Sequence, residues 1–189
     1  MNYIRILKIL FLLSVIYISL CLVSTQLFGG PSSDALIGVG DYVVGEDIPA
    51  GEYYVKSTGF NMYVEDAYDS SGSYDSIIFY VDTMGGSYIT VKDGEHLKIE
   101  SGELYELDKA PIDKTENGYY KNGMFKVGVD IPAGEYIAES SGSGYVMICV
   151  DSRHGYDGII SYDNIESDKY VFIQEGQYIT LHGDAQIKA

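Results

Sequence analysis

The chain has 189 residues, 22 of them glycine and only 2 cysteine, and it carries 12 Lys and Arg against 28 Asp and Glu, for a formal net charge of −16. This acidic excess predicts no nucleic-acid partner, because binding to a phosphate backbone depends on Lys and Arg. Two cysteines are too few for a disulfide framework, and the glycines follow no collagen period.

The first 29 residues are typical of an export signal. Arg5 and Lys8 precede an uncharged, mostly apolar run from Ile9 to Val23, and the uncharged residues after it extend the segment to the roughly 20 residues that span a bilayer as a helix. The segment is either a cleaved signal peptide or an uncleaved anchor helix. Because basic flanks stay in the cytoplasm, we expect the remainder, with a net charge of −18, at the outer side of the cell membrane or, after cleavage, secreted.

An internal repeat predicts the domain organisation. The string from Asp47 to Tyr53 is identical to the string from Asp130 to Tyr136, and further matches follow at an offset of 82 residues. A repeated unit of about 70 residues predicts small tandem domains rather than a solenoid. We expect one repeat at 37–108, a linker at 109–118 and a second repeat at 119–189, each folding on its own.

Both repeats alternate apolar and polar residues over short runs, which is the period of β-strands. In the first repeat we expect strands at 42–45, 52–57, 61–66, 77–82, 87–92, 96–100 and 104–107. The predicted fold class is all-β, with two tandem small antiparallel β-sandwich or jelly-roll-like domains behind an N-terminal hydrophobic helix. The predicted core comprises Val44, Ile48, Val55, Val64, Ile77, Ile89, Val91, Leu97 and Ile99, and Val127, Ile131, Ile159, Val171, Ile173, Ile179 and Leu181.

The identical string has the chemistry of a structural turn. Proline fixes φ, glycine accepts a positive φ, and an aspartate side chain accepts hydrogen bonds from nearby backbone N–H groups. We therefore interpret the string as a connection that sets strand register, with Glu52 and Glu135 directed to solvent. The predicted turn residues are Asp47, Pro49, Gly51, Asp130, Pro132 and Gly134.

The repeated pattern also resembles a known type of module. It reads Gly40-x-Tyr42-x-Val44-Gly45-x-Asp47-Ile48-Pro49-Ala50-Gly51-Glu52-Tyr53, and it recurs from Gly123 to Tyr136 with Phe125 at the first aromatic position. In this respect the chain is similar to tandem β modules of exported, largely uncharacterised prokaryotic proteins. The resemblance implies an exported β module behind a signal or membrane segment, and it brings no catalytic residues.

Catalytic constellations are missing from the sequence. His96, His154 and His182 have no second histidine or cysteine at metal-ligand spacing, and neither a nucleophile elbow nor a phosphate loop occurs. Cys149 lies in an apolar run, which predicts a buried and inert thiol. We therefore expect no enzyme activity, no catalytic residues and no cofactor-binding residues.

Two loops offer carboxylates in a repeated pattern. Asp69 and Asp75 flank a Ser/Gly turn, and Asp151 and Asp157 flank the equivalent turn of the second repeat. Oxygen ligands outside the cytoplasm suit calcium, so these four residues are candidate calcium ligands. The alternative is that each aspartate makes an Asx turn, and Arg153 weakens the calcium hypothesis in the second loop.

Tyrosine is the other candidate for function, because 17 of the 19 tyrosines follow residue 30. Tyrosine favours recognition surfaces as well as strands. The sequence thus favours a non-catalytic extracytoplasmic binding or structural module, tethered by its N-terminal helix or secreted, with a cell-envelope or extracellular ligand. The alternative function is an extracytoplasmic enzyme, or an enzyme accessory domain, whose site has no recognisable motif.

Overall fold

The structure, a computed structural model, describes residues 36–112 and 115–189. The predicted signal or anchor segment and two residues of the predicted linker, 113–114, lie outside this range. Within the described ranges no helix reaches the length and hydrophobicity of a membrane span. The described residues of both repeats belong to one compact unit, and the independent folding of each repeat stays a prediction.

The described residues form an all-β structure of antiparallel strands, as the sequence predicts. They contain two 3-10 turns, Tyr74–Ser76 and Tyr156–Gly158, and no α-helix. The strands of the first repeat are β1 (Gly40–Val43), β2 (Gly51–Lys56), β3 (Met62–Ala67), β4 (Ile77–Thr83), β5 (Ser87–Val91), β6 (His96–Ser101) and β7 (Glu103–Tyr105). Those of the second repeat are β8 (Tyr119–Lys126), β9 (Gly134–Cys149), β10 (Ile159–Asn164), β11 (Lys169–Ile173) and β12 (Tyr178–Lys188).

The first repeat folds into two sheets that share a core. One sheet has the strand order β1-β6-β3-β4 and the other the order β5-β2-β7. Alternate side chains of each strand point to the same face, so Val64 and Leu97 of the first sheet pack in one apolar cluster with Val55 and Ile89 of the second. All four are almost completely buried.

The second repeat uses longer strands for the same pattern. The 16-residue strand β9 pairs with β11 along its first part, with β10 along its last part and with β12 along most of its length. The sheet order is β10-β9-β12-β8. In the first repeat, residues 57–61 interrupt the equivalent path and divide it into β2 and β3.

The predicted core is confirmed at all but two positions. Ile77 and Ile159 are half-buried, whereas every other predicted core residue is buried. These two isoleucines occupy equivalent places, at the first residue of β4 and of β10. Both strands lie at the edge of a sheet, where a side chain has fewer neighbours than it has in a central strand.

The identical strings close the same turn in both repeats. In the first, Asp47 Oδ2 accepts the N–H of Val43 at 2.8 Å, Gly45 has a φ of +92°, and the Tyr53 hydroxyl donates to the Pro49 carbonyl at 2.7 Å. The second copy repeats these bonds, from Lys126 N–H to Asp130 at 2.7 Å and from Tyr136 to Pro132 at 2.8 Å. Gly51 and Gly134 are the first residues of β2 and β9.

Each repeat begins and ends at neighbouring positions. In the first repeat the N–H of Leu104 donates to the carbonyl of Ile37 at 2.9 Å. In the second, Tyr119 at the start of β8 pairs with Lys188 at the end of β12. The two ends of each repeat therefore lie side by side, joined by an isolated antiparallel bridge in the first repeat and by the β8–β12 ladder in the second.

Candidate binding groove between the repeats

The first aspartate loop, residues 69–75, forms hydrogen bonds within itself. Asp69 Oδ1 accepts the N–H of Ser71 at 2.9 Å, and the Ser73 hydroxyl oxygen accepts the N–H of Asp75 at 3.3 Å. Asp69 also lines a hollow of about 580 Å³ with Asp41, but Asp75 is not among its lining residues. Across 36–112 and 115–189, no three His, Cys, Asp or Glu side chains converge in a way that could hold a metal ion. The calcium hypothesis stays a prediction that the geometry does not favour.

The second aspartate loop instead contacts the first repeat. Asp151 Oδ1 accepts the N–H of Arg153 at 3.0 Å, as in an Asx turn, and Asp157 is exposed in the following 3-10 turn. The N–H of Thr90 in β5 donates to the carbonyl of Ser152 at 2.9 Å, and the two hydroxyls lie 2.7 Å apart. This loop is therefore part of the interface between the repeats.

Arg153 makes the strongest of these contacts. Its guanidinium donates to both carboxylate oxygens of Glu95, at 2.8 and 2.9 Å, and to the carbonyl of Thr90 at 2.8 Å. Glu95 also accepts the N–H of Lys92 at 2.6 Å. A bidentate pair of this kind is strong and directional, and it is shielded from salt because Glu95 is buried.

Asp66 of β3 lies beside this pair and is completely buried. Its carboxylate is 3.7 Å from the Arg153 guanidinium, and neither of its oxygens has a hydrogen-bond partner among the described residues. Burial, together with the nearby Glu95, raises the pKa of Asp66 to about 8, although Arg153 acts in the opposite direction. The equivalent position of the second repeat is Ile148, an apolar core residue, so the buried carboxylate is specific to the first repeat.

The expectation that Glu52 is directed to solvent is wrong. Its carboxylate accepts hydrogen bonds from Lys126 at 2.7 Å, from Ser152 at 2.8 Å and from the Tyr178 hydroxyl, all in the second repeat. Burial alone would raise the pKa of Glu52, but the hydrogen bonds from Lys126, Tyr178 and Ser152 lower it below its ordinary value. Glu135, the equivalent residue of the second repeat, is exposed.

Tyr88 joins the polar contacts to a small apolar cluster. Its hydroxyl donates to Asp130 Oδ2 at 2.8 Å, and its ring packs edge to face with Tyr54 and Tyr178. Met124 and Cys149 complete the cluster, which contains residues of both repeats. Cys149 is buried, as the sequence predicts, and burial raises the pKa of its thiol to about 11; its lack of reactivity stays a prediction.

The backbones of the two repeats touch at two glycines. Gly86 pairs with Gly123, and the N–H of Met124 donates to the carbonyl of Gly86 at 2.9 Å. A Cβ atom on Gly123 would lie 2.8 Å from the carbonyl oxygen of Gly86, and one on the neighbouring Gly85 would lie 1.6 Å from the carbonyl oxygen of Asn122. Only glycine permits this approach, which brings β4 and the loop after it close to the sheet of the second repeat.

A groove of about 620 Å³, here called the inter-repeat groove, lies beside this contact. All seven residues of β4 line one wall, and Tyr145, Met147, Tyr162 and Thr180 of the second repeat line the other. Its volume is within the range of ligand-binding clefts, which is about 300–1,000 Å³.

The rims of the inter-repeat groove carry exposed tyrosines. Tyr74 and Tyr156, which are equivalent in the two repeats, are 83% and 95% exposed, and Tyr80 and Tyr162 are more than half exposed. Four exposed tyrosines thus line one groove, and tyrosine is enriched at recognition surfaces because its ring is apolar and its hydroxyl is polar. The sequence predicts tyrosine as a recognition residue, but it does not reveal which tyrosines lie together.

The three histidines lie apart from one another. His154 Nε2 is 2.8 Å from the Tyr88 carbonyl oxygen, and its enclosure lowers the pKa of the imidazole. His182 stacks on Tyr145 with ring centroids 4.7 Å apart. His96 lines the hollow on the outer face of the first repeat. Only His154 lines the inter-repeat groove.

Comparison of the chain with protein-family models, with curated proteins and with solved structures found no match. The candidate groove is therefore defined by the geometry of this chain alone.

Proposed function

We propose that the chain is a non-catalytic extracytoplasmic binding module that contacts its ligand through the inter-repeat groove. Each repeat is assigned as a small antiparallel β-sandwich, and the hydrophobic segment at 1–29 tethers the pair to the membrane or directs its secretion. The charge distribution of that segment and the resemblance to exported β modules support this assignment.

The observation that carries the proposal is the set of exposed tyrosines around one groove. A tyrosine supplies a wide, rigid contact area with a polar tip, and it loses little conformational freedom on binding. Tyr80 and Tyr162 reach the inter-repeat groove from opposite walls. A ligand in the groove would be held between the repeats, which explains why a binding module would use two copies.

Retention of a ligand on the immobilised full chain tests the proposed site. We expect solubilised cell-envelope extract to yield a component that the wild type retains and that the double variant Tyr80→Ser, Tyr162→Ser does not. The matched control is Tyr68→Ser, Tyr170→Ser, since both rings are exposed away from the groove. Equal retention by both double variants would contradict the proposal.

The proposed location has a separate test. Protease added to intact cells should digest residues 37–189, because the positive-inside tendency places them outside the cytoplasm. Protection of these residues until the cells are lysed would contradict an extracytoplasmic module.

A further inference from the structure

We propose that an extended basic peptide binds in the inter-repeat groove as an additional strand on the free edge of β4. This inference rests on the proposed function and specifies its ligand class. Strand addition of this type draws its affinity from main-chain hydrogen bonds and its specificity from contacts to alternate side chains.

All seven residues of β4 line the inter-repeat groove. Successive side chains of a strand point to opposite faces of the sheet, so a groove over one face would touch every second residue. The inter-repeat groove instead touches every residue from Ile77 to Thr83. It therefore runs along the edge of β4, where the backbone itself is accessible.

One edge of β4 has no partner strand among the described residues. Within the described part of the chain, β4 pairs with β3 and with no other strand. In an antiparallel pair, alternate residues direct their N–H and C=O groups away from the partner strand. The outer edge of β4 thus presents a row of donors and acceptors, which is a template for a further strand.

The opposite wall supplies contacts for side chains. Met124, Thr180, Met147 and Tyr162 are register partners on adjacent strands, so they form one row across the sheet of the second repeat. All four line the groove. The Thr180 hydroxyl is buried and has no hydrogen-bond partner among the described residues. Methionine side chains adapt to different apolar groups.

Charge selects a basic peptide. Among the described residues that line the groove, Asp82 is the only one with a formal charge, and none is Lys or Arg. The faces of the Tyr80 and Tyr156 rings attract cations through their quadrupoles. A second copy of this chain, with a net charge of −16, would be repelled from the same edge.

The test uses the purified full chain in non-ionic detergent and three labelled octapeptides, with binding followed by fluorescence anisotropy. The first peptide alternates Thr and Lys, the second alternates Thr and Glu, and the third is the Thr-Lys peptide with its internal amides N-methylated. We expect the Thr-Lys peptide to bind, the Thr-Glu peptide not to bind, and N-methylation to weaken binding at least about tenfold through lost main-chain hydrogen bonds.

Variants of the chain locate the peptide. Asp82→Lys should weaken binding of the Thr-Lys peptide about tenfold or more at low salt, because it places like charges together. Asp168→Lys, an exposed site outside the groove, should leave binding unchanged. Tyr80→Ser should weaken binding as well, which covers the case in which Asp82→Lys does not fold.

Each contrary result overturns the inference. Equal binding of the N-methylated peptide would exclude strand addition, and absence of Thr-Lys binding would exclude the basic ligand. If either result occurs while retention of the envelope component still depends on Tyr80 and Tyr162, the proposed function stands and only this inference fails. If that retention also proves independent of the tyrosines, both fail. A concentration-dependent dimer that Tyr80→Ser abolishes would assign the edge to a second copy instead.

Discussion

The two aspartate loops share a sequence pattern, yet they have opposite environments. The loop of the first repeat is exposed and bonds to itself, whereas the loop of the second repeat is packed on β5. The loops differ at three positions, at which Arg153, His154 and Gly155 stand in place of Ser71, Gly72 and Ser73. Arg153 and His154 supply the contacts to Glu95 and to β5 that the first loop cannot make.

Equivalent tyrosines of the two repeats also differ in their exposure to solvent. Tyr88 is 1% exposed and Tyr170, its equivalent, is 71% exposed. The repeats pack through different surfaces, so each buries a face that the other leaves open, which is the property of a heterologous contact. The pattern that the repeats share therefore determines the strands, whereas the residues that differ between the repeats determine how the repeats pack on each other.

The largest expected difference in stability between equivalent positions of the two loops is at Arg153 and Ser71. Arg153→Ala leaves Glu95 buried without its cation and should lower the free energy of unfolding by about 3–5 kcal/mol, the usual cost of breaking a buried ion pair. Ser71→Ala, at the equivalent exposed position, should change it by less than about 0.5 kcal/mol. Urea unfolding followed by circular dichroism measures both, and similar costs at the two positions would contradict the asymmetry.

Glu52 and Glu135 provide the second comparison. Glu52→Gln removes the charge that accepts three hydrogen bonds across the interface and should destabilise the protein by about 2 kcal/mol. Glu135→Gln should be nearly neutral, because the side chain is exposed. The same urea titration distinguishes them, and a Glu52→Gln variant as stable as the wild type would show that the interface gains nothing from this carboxylate.

Asp66 predicts a dependence on pH that its apolar equivalent, Ile148, cannot produce. Because its pKa is raised to about 8, the folded protein retains a proton that the unfolded chain has released above about pH 4. The stabilisation is therefore complete below about pH 4 and is lost as the pH rises towards 8. Glu95, which lies in the same cluster as Asp66 and Arg153, has a pKa below its ordinary value.

Asp66→Asn, which carries no ionisable proton, should remove this loss. Between pH 5 and pH 8 the wild type should lose at least about 1.4 kcal/mol more stability than the variant does, the equivalent of one pKa unit. Asp168→Asn, at an exposed position, serves as the control. Parallel pH profiles for wild type and Asp66→Asn would exclude a raised pKa at this site.

The smallest effect is expected at the exposed loop. The double variant Asp69→Asn, Asp75→Asn should change the free energy of unfolding by less than about 0.5 kcal/mol. Calcium and magnesium at equal millimolar concentrations should raise the melting temperature equally in wild type and variant, through general screening of acidic charge. A calcium-specific rise that the double variant loses would instead establish the calcium site, by mass action on the native state.

The strands and the cores could be predicted because they depend on local pattern. Each strand shows its buried face through alternation, and Val64 and Leu97 lie where that pattern places them. The environment of Glu52 could not be predicted in this way. The alternation of apolar and polar residues identifies the face of a strand that points away from the core of its own repeat, but it does not show what covers that face. A neighbouring repeat covers it, and that contact joins residues 74 to 126 positions apart.

The positions at which the two repeats differ in sequence do indicate where the repeats contact each other. Asp66 stands where the second copy has an apolar Ile148, and Arg153 stands where the first copy has Ser71. A carboxyl group that replaces an apolar core residue needs a partner, and Asp66 lies 3.7 Å from the Arg153 guanidinium. The inter-repeat groove is harder to predict, because it depends on how closely Gly86 and Gly123 allow the repeats to approach.

The neighbouring ends of each repeat determine how the molecule responds to mechanical tension. When Tyr119 and Lys188 are pulled apart, the hydrogen bonds between β8 and β12 are loaded one after another from that end, because they run perpendicular to the strands. The ladder then opens as a zipper at low force, whereas a shear geometry would load many bonds at once. Full extension of the 70 residues from Tyr119 to Lys188 adds about 230 Å of chain length. The second repeat is therefore expected to yield to tension by unzipping from its two ends rather than by shear.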